Sequence, residues 1–289
     1  MTIKATKTVS EWLDEWLEVY VKPCKRPKTY RCYNDSVIRI RREKPAFMDK
    51  KLNQVNELEI QIFINSLATK YAKSTINDIR VVLNQSFQIA ARNNYCTKNP
   101  IGKLSIPKEA SQKYVRALTQ EEQLIVEEAA KLDPLGHIVL FFLFTGLRAE
   151  ELRNLKWEDY DKDLQRIHIK KSKTKAGIRT IPLIPEAANI IDSLPKYNDY
   201  IFNSTRHTPV TETVLKKVYL RMRKATGLNF ITNHVYRHSF ATRLVELGVE
   251  YKALSALLGH TDVAFTLRRY TDAEDNYLRQ QINLLHKSA

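Results

Sequence analysis

The chain has 289 residues, 43% of them hydrophobic and 27% charged, with a mean hydropathy of −0.41. That balance belongs to a folded chain of about two domains at roughly 150 residues each, and no apolar run approaches the ~20 residues of a membrane span, so disorder and membrane insertion are excluded. Lysine and arginine number 47 against 32 aspartate and glutamate, and the resulting +15 points to a polyanionic partner, nucleic acid foremost.

The excess is uneven: residues 1–115 carry 21 basic and 11 acidic side chains, or +10, leaving 26 and 21, or +5, for the remainder. The opening residues MTIKATKTVSEWLDEW lack the apolar core and small-residue cleavage site of a secretory signal, so a cytoplasmic location is expected. Cys24, Cys32 and Cys96 have no CxxC spacing and are odd in number, which predicts free thiols rather than a disulfide framework or a Cys-rich zinc site.

Thr8 and Glu11 form a capping box ahead of Val9, Trp12, Leu13, Trp16, Leu17 and Tyr20, whose spacing of three and four defines one apolar helix face. A second helix is expected over Thr29–Arg42. A third starts at Asn56, with Glu59 three residues on and Ile60, Phe63, Ile64 and Leu67 inward. A fourth, capped by Ser74, places Ile76, Ile79, Leu83, Phe87 and Ala90 on one stripe and stops at an Asn pair. These make a four-helix domain over residues 1–105. Lys22, Lys25, Arg26, Lys28, Arg31, Arg39, Arg41 and Arg42 run through its first half, interleaved with Tyr30 and Tyr33. Such a run grips phosphates or is an ordinary solvated face, and it does not choose between these alone.

Periodicity is lost between Thr97 and Leu118, where Pro100, Pro107 and five basic residues stand against one acidic. The domain linker is placed at residues 106–117. Thr119 and Glu122 then cap a new helix, and Leu135–Thr145 is apolar enough to be core. Residues 165–171 and 179–185 alternate like strands around the polar stretch KTKAGI, predicting a basic β-hairpin, with 200–205 as a third strand. Helices are expected over 211–225, 232–247, 251–258 and 272–285. The whole is mainly α with a small β-sheet, its second domain, residues 118–289, of the α+β kind.

Short polar motifs punctuate this second domain. In TGLRAEEL, Gly146 ends a helix and Arg148 and Glu151 open the next, on one face at i and i+3. By itself such a pair is most often a surface ion pair. In TNHVYRHSF, His234 and Arg237 project together from one turn. His234 and His238 have the spacing of a zinc pair, but the glutamate of HExxH is missing and no cysteines complete a site, so no metal is expected. Further on come Gly259-His260 and, ten residues later, Tyr270.

The order Arg148, basic hairpin, His234-x-x-Arg237, Gly259-His260, Tyr270 strongly resembles the tyrosine recombinase family, also called phage integrases. The resemblance covers the whole second domain, and the first resembles the family's helical, SAM-like core-binding domain, from EWLDEWL through NPIGKL. It implies that Arg148 and Arg237 hold the scissile phosphate, with Glu151 bracing the first. Lys173 matches the hairpin lysine and is the expected general acid. His234 and His260 match the two histidines, and Tyr270 the nucleophile that forms a covalent 3′-phosphotyrosyl bond. Lys25, Arg26, Lys28, Arg31, Arg39, Arg41, Arg42, Lys171 and Lys175 are the expected DNA contacts. No cofactor is implied, because the phosphotyrosyl bond conserves the energy of the broken phosphodiester.

The implied partner is double-stranded DNA, with a homo-tetramer assembled on two sites. The terminal stripe Leu278, Ile282 and Leu285 either joins neighbouring protomers or packs within its own chain. An accessory directionality protein is left open. The chain begins almost at the core-binding helices, so either the natural protein is of the shorter Xer-like kind or an arm-binding domain is missing. KTKxxxRxIPL and the ten-residue spacing from His260 to Tyr270 look more like integrases of phages and conjugative transposons than chromosome-dimer resolvases. The competing readings are a type IB topoisomerase-like relaxer and a non-catalytic DNA-binding regulator.

Overall fold

A computed structural model describes residues 7–102, 104–111, 116–172 and 174–259. The chain divides into two compact units, Met1–Tyr114 and Val115–Ala289. Among the described residues no helix is long and apolar enough to cross a membrane.

In the first unit, α1 (Val9–Trp16) begins with the expected reciprocal cap between Thr8 and Glu11 and widens into a π-turn over Leu17–Val21. Its apolar face is fully used: Val9, Trp12, Leu13, Trp16 and Leu17 are buried. Two large indoles on one helix set its position. Trp12 donates its ring N–H to the Ser86 carbonyl at 3.1 Å, while Trp16 stacks on Tyr33 with centroids 5.7 Å apart. Both contacts bind α1 to its neighbours α2 (Pro27–Glu43) and α5 (Lys73–Arg92). Between those two lie a single turn, α3 (Pro45–Met48), a 3-10 turn at Leu52–Gln54, and α4 (Glu57–Ser66), capped by Asn56 as expected.

Two starts differ from the sequence expectation. The second helix begins at Pro27 rather than Thr29, because proline's fixed φ suits a first helical position and its missing N–H has no partner to lose there. The fourth begins at Lys73 with Ala72 as N-cap, so Ser74 lies inside the helix and does not cap it; the Lys73 N–H instead donates to the Ser111 carbonyl at 2.8 Å. The inward stripe of Ile76, Ile79, Leu83, Phe87 and Ala90 is buried as read.

The second unit opens with Leu118, whose N–H donates to Ser239 Oγ at 2.8 Å, and with the Thr119–Glu122 capping box of α6 (Gln120–Lys131). Arg116 closes over that box, forking onto Glu122 at 2.6 Å and lying 4.0 Å above the Phe230 ring. α7 (Gly136–Thr145) is apolar on all sides and therefore central. Ile138, Val139, Phe141 and Phe142 are wholly buried in it, and Phe142 stacks on Tyr236 of α11 (Asn233–Glu246). α8 (Ala149–Arg153) follows, then the sheet.

The hairpin forms as expected: β2 (Arg166–Ile169) pairs antiparallel with β3 (Arg179–Pro182), with Ile167 opposite Ile181. The third strand does not. Residues 200–205 make only isolated bridges, and the sheet's third member is β1 (Tyr160–Asp161), before the hairpin. β1 is too short to alternate, so its pairing with β2 carries no periodic trace in the sequence. Also unanticipated is α9 (Pro185–Ser193), where Pro185 starts a helix instead of ending a strand. It buries Ala187, Ala188 and Ile191. α10 (Glu212–Thr226), α11 and α12 (Tyr251–Leu258) agree with expectation to within a residue, the first two capped by Thr211 and Thr232. The helix expected over 272–285 lies outside the described residues.

Candidate active site

Four of the seven expected catalytic positions lie among the described residues. Arg148, Glu151, His234 and Arg237 are described; Lys173, His260 and Tyr270 are not. The four come from two stretches of the chain, Arg148 and Glu151 after α7 and His234 and Arg237 at the start of α11, and the end of α12 accepts from both arginines.

Gly146 closes α7 in the left-handed conformation at φ 62°, where a side chain would also meet the Phe240 ring at 2.4 Å. The turn it permits delivers Arg148 as the N-cap of α8. One guanidinium nitrogen of Arg148 donates to Glu151 Oε1 at 2.8 Å, its backbone N–H donates to Oε2 at 2.8 Å, and the other nitrogen donates to the Gly259 carbonyl at 3.1 Å. Glu151 thus accepts from both the guanidinium and the backbone of Arg148.

Arg237 lies one turn into α11, 7% exposed. It donates to the Gly146 carbonyl at 2.7 Å and to the Leu258 carbonyl at 2.6 Å. A cation this deep is retained because charge-assisted bonds to carbonyl dipoles replace its lost hydration. His234, three residues earlier on the same helix, is exposed.

A third guanidinium completes the arrangement. Arg179, the first residue of β3, grips Glu151 with two nitrogens, at 2.9 Å to Oε1 and 3.1 Å to Oε2, and donates its Nε–H to the Leu257 carbonyl at 2.6 Å. Three consecutive carbonyls at the end of α12, those of Leu257, Leu258 and Gly259, thus each accept from a different arginine. Gly259 adopts φ 64° there, with no room for a side chain between Arg179 and the Ala176 carbonyl. Burial alone would push the Glu151 carboxyl up, but Arg179, through hydrogen bonds and charge, and then Arg148 hold it at about 2. The Glu151 carboxylate thus has its four acceptor positions filled by Arg148 and Arg179.

Arg179 was given no role from the sequence. The signal was present: in RTIPLIP the period of two puts Arg179 on the same face as Ile181 and Leu183, and a cation on an inward face requires a buried acid.

Of the expected DNA contacts, Lys25, Arg26, Lys28 and Arg31 are exposed and Arg39 is half-buried; among the described residues none of the five side chains makes a hydrogen bond or ion pair. Arg41 instead pairs with Asp14 at 3.0 Å, and Arg42 with Glu43 and the Tyr71 hydroxyl. Lys171 and Lys175, on either side of Lys173, are exposed. Cys24, Cys32 and Cys96 are free thiols.

Residues 114–277 match the phage integrase family, and residues 8–68 match the phage integrase N-terminal SAM-like domain. The chain belongs to the phage integrase family. As a member it is a tyrosine recombinase, an enzyme of DNA strand transfer. A tyrosine recombinase XerC-like protein of Caldanaerobacter subterraneus subsp. tengcongensis is 25% identical, with 91% of this chain and 79% of that protein covered. A lambda integrase tetramer bound to a Holliday junction is 25% identical over 94% of this chain and 81% of its own, with a TM-score of 0.78. The Tn1549 transposon integrase in complex with a circular intermediate DNA shares the fold at a TM-score of 0.81 and 19% identity, covering 97% of this integrase and all of that chain. The two-part architecture, helical SAM-like domain followed by catalytic domain, is thus that of known tyrosine recombinases.

Proposed function

We propose that this integrase cuts and rejoins double-stranded DNA at specific sites through Tyr270. The Tyr270 phenol gives its proton to a histidine of the site, His234 or His260, its oxygen bonds to the scissile phosphorus, the P–O5′ bond breaks, and the strand is held as a 3′-phosphotyrosyl ester. The 5′ oxygen leaves with a proton from Lys173. Attack by the 5′-hydroxyl of a partner strand then releases the tyrosine. A free tyrosine is only ~0.1% ionised at pH 7, which costs about 4 kcal/mol to reverse, so cations beside it matter.

The observation that carries this reading is the anchoring of Arg148 and Arg237 on adjacent carbonyls, Leu258 and Gly259, immediately before His260. Held this way, two guanidinium groups are preorganised for the non-bridging oxygens of a phosphorane-like transition state. His234, at the exposed start of α11, and His260 serve as the remaining polar groups at the phosphate. Lys25, Arg26, Lys28, Arg31, Arg39, Lys171 and Lys175 make the backbone contacts that position the duplex, and Arg41 and Arg42 do so less because acids already hold them.

Strand exchange between two duplexes needs four such sites, and the lambda integrase tetramer on a Holliday junction supports a tetramer on DNA here. For a link between protomers the stripe Leu278, Ile282 and Leu285 is the candidate segment. The catalytic unit comprises residues 118–289, joined by 106–117 to the DNA-binding unit of 1–105. The topoisomerase and regulator readings are disfavoured, since the relatives are recombinases and integrases. The deciding experiment uses nicked DNA carrying the junction sequences that flank the encoding gene. Denaturing electrophoresis should show a protein–DNA adduct with the natural chain and none with Tyr270→Phe, at unchanged DNA affinity. An adduct persisting in that variant rejects the assignment.

A further inference from the structure

The two arginines bound to Glu151 both reach the end of α12 but differ in exposure. Arg148 is 36% exposed at its side chain, whereas Arg179 is 7% exposed and turned wholly inward. Arg179 therefore does not touch DNA, yet it supplies half of the hydrogen bonds that fill the Glu151 carboxylate. Without it, one buried anion would face one cation. Arg148 would then be neutralised by its own brace, and its charge would no longer be available to a phosphate.

We propose that Arg179 is a positioning and charge-balancing residue of the strand-transfer site: it neutralises Glu151, so that Glu151 can orient Arg148 without cancelling it. With Arg179 present, the group of Arg148, Arg179, Arg237 and Glu151 carries +2; without it, the charge falls to +1 while every group facing the DNA stays in place. This inference rests on the phosphate-holding role proposed above for Arg148. Because Arg179 also sits on β3, holds the Gly177 carbonyl and joins the hairpin to Leu257, it ties the segment that bears Lys173 to the end of α12.

Charge balance makes a prediction that mere structural support does not: the loss should be reversed by removing the acid. The readout is the rate of covalent adduct formation on nicked target DNA, with affinity measured alongside. Arg179→Met should slow adduct formation roughly 100-fold, the scale of losing one preorganised donor, with little change in binding. Arg179→Met combined with Glu151→Gln should recover at least about tenfold of this, because no unbalanced anion remains. Arg179→Lys, which keeps the charge and loses the fork, should lose less than about tenfold.

The pH profile adds an independent readout. Among the described residues, the charged and titratable groups facing Glu151 are Arg148 from the start of α8 and Arg179 from β3, with Lys156, Glu158, Asp159, His168, Lys170 and Lys171 around the adjoining cavity. In Arg179→Met the buried Glu151 takes up a proton more readily, so the variant's deficit relative to the natural chain should shrink as the pH is lowered. A double variant no faster than Arg179→Met, or a deficit independent of pH, overturns the proposal. Should Arg179→Met prove insoluble, the double variant is compared with Glu151→Gln alone: rates within about threefold of each other support action through Glu151, and a further tenfold loss overturns it. Failure of the natural chain to form any adduct would instead count against the strand-transfer reading itself.

Discussion

Arg148 and Arg237, 89 residues apart in sequence, are held by neighbouring peptide groups: Arg237 donates to the Leu258 carbonyl at 2.6 Å and Arg148 to the Gly259 carbonyl at 3.1 Å. The end of one helix is therefore the common reference for both. The last carbonyls of a helix carry the negative pole of its dipole and have no partners within it, which makes them suitable acceptors for guanidinium groups.

Removing either guanidinium should impair chemistry more than binding. Arg148→Ala and Arg237→Ala are each expected to lower adduct formation by at least about 100-fold. Quench-flow or manual sampling on nicked DNA measures it, and losses under tenfold for both would contradict their role. Arg237→Ala also leaves two buried carbonyls unpaired, so its thermal midpoint should fall more than that of Arg148→Ala.

Lys173 is tested by the leaving group. Lys173→Ala should cost roughly 100- to 10,000-fold on normal DNA, the range of general acid catalysis. Sulfur in place of the bridging 5′ oxygen departs without a proton, so cleavage of that substrate by Lys173→Ala should recover, while Arg148→Ala stays slow. Recovery in Lys175→Ala alone moves the role to Lys175.

The exposed basic residues separate by whether an acid already holds them. Replacing Lys25, Arg26, Lys28 and Arg31 together with alanine should reduce the slope of log affinity against log salt by about 3 to 4, at ~0.9 per phosphate contact. Arg41→Ala and Arg42→Ala, which pair with Asp14 and Glu43, should together change it by less than about one. Fluorescence anisotropy over a salt series decides this. Equal effects from the two sets would show that the ion pairs open on DNA.

Glu151 gives the stability a defined acid limb. Its carboxyl titrates at about 2 in the folded chain against an ordinary 4.5, because Arg179 and Arg148 outweigh its burial. A lowered folded value contributes stability that is complete above pH 4.5 and is lost as the pH falls through 2; at 1.36 kcal/mol per unit this amounts to ~3 kcal/mol. Glu151→Gln lacks this contribution. Urea titrations at several pH values should therefore show the gap between natural chain and variant narrowing from pH 5 downward. A constant gap down to pH 3 would mean that the carboxylate's ionisation is not what stabilises the site.

Much of this protein is legible along the chain because local rules act over short distances. The capping boxes at Thr8 and Thr119, the apolar stripes of α1, α4 and α5, the helix stop at Gly146 and the alternation of the hairpin all depend on residues within a turn or two of each other. The order of the polar motifs likewise marks Arg148, His234 and Arg237 as candidate site residues before any fold is known. What has no local cause leaves no such trace. α9 starts at a proline that equally suits the end of a strand, and β1 is a strand only because β2 lies beside it.

The same holds within the site. Sequence pairs Glu151 with Arg148 three residues away, and that bond is present. Only the tertiary structure brings Arg179 to the same carboxylate from 28 residues downstream, and only it places the carbonyls of Leu257, Leu258 and Gly259 against three separate arginines. A backbone carbonyl is identical in every residue and leaves no mark in the amino-acid code. Which side chain it holds is decided by where the helix ends in space.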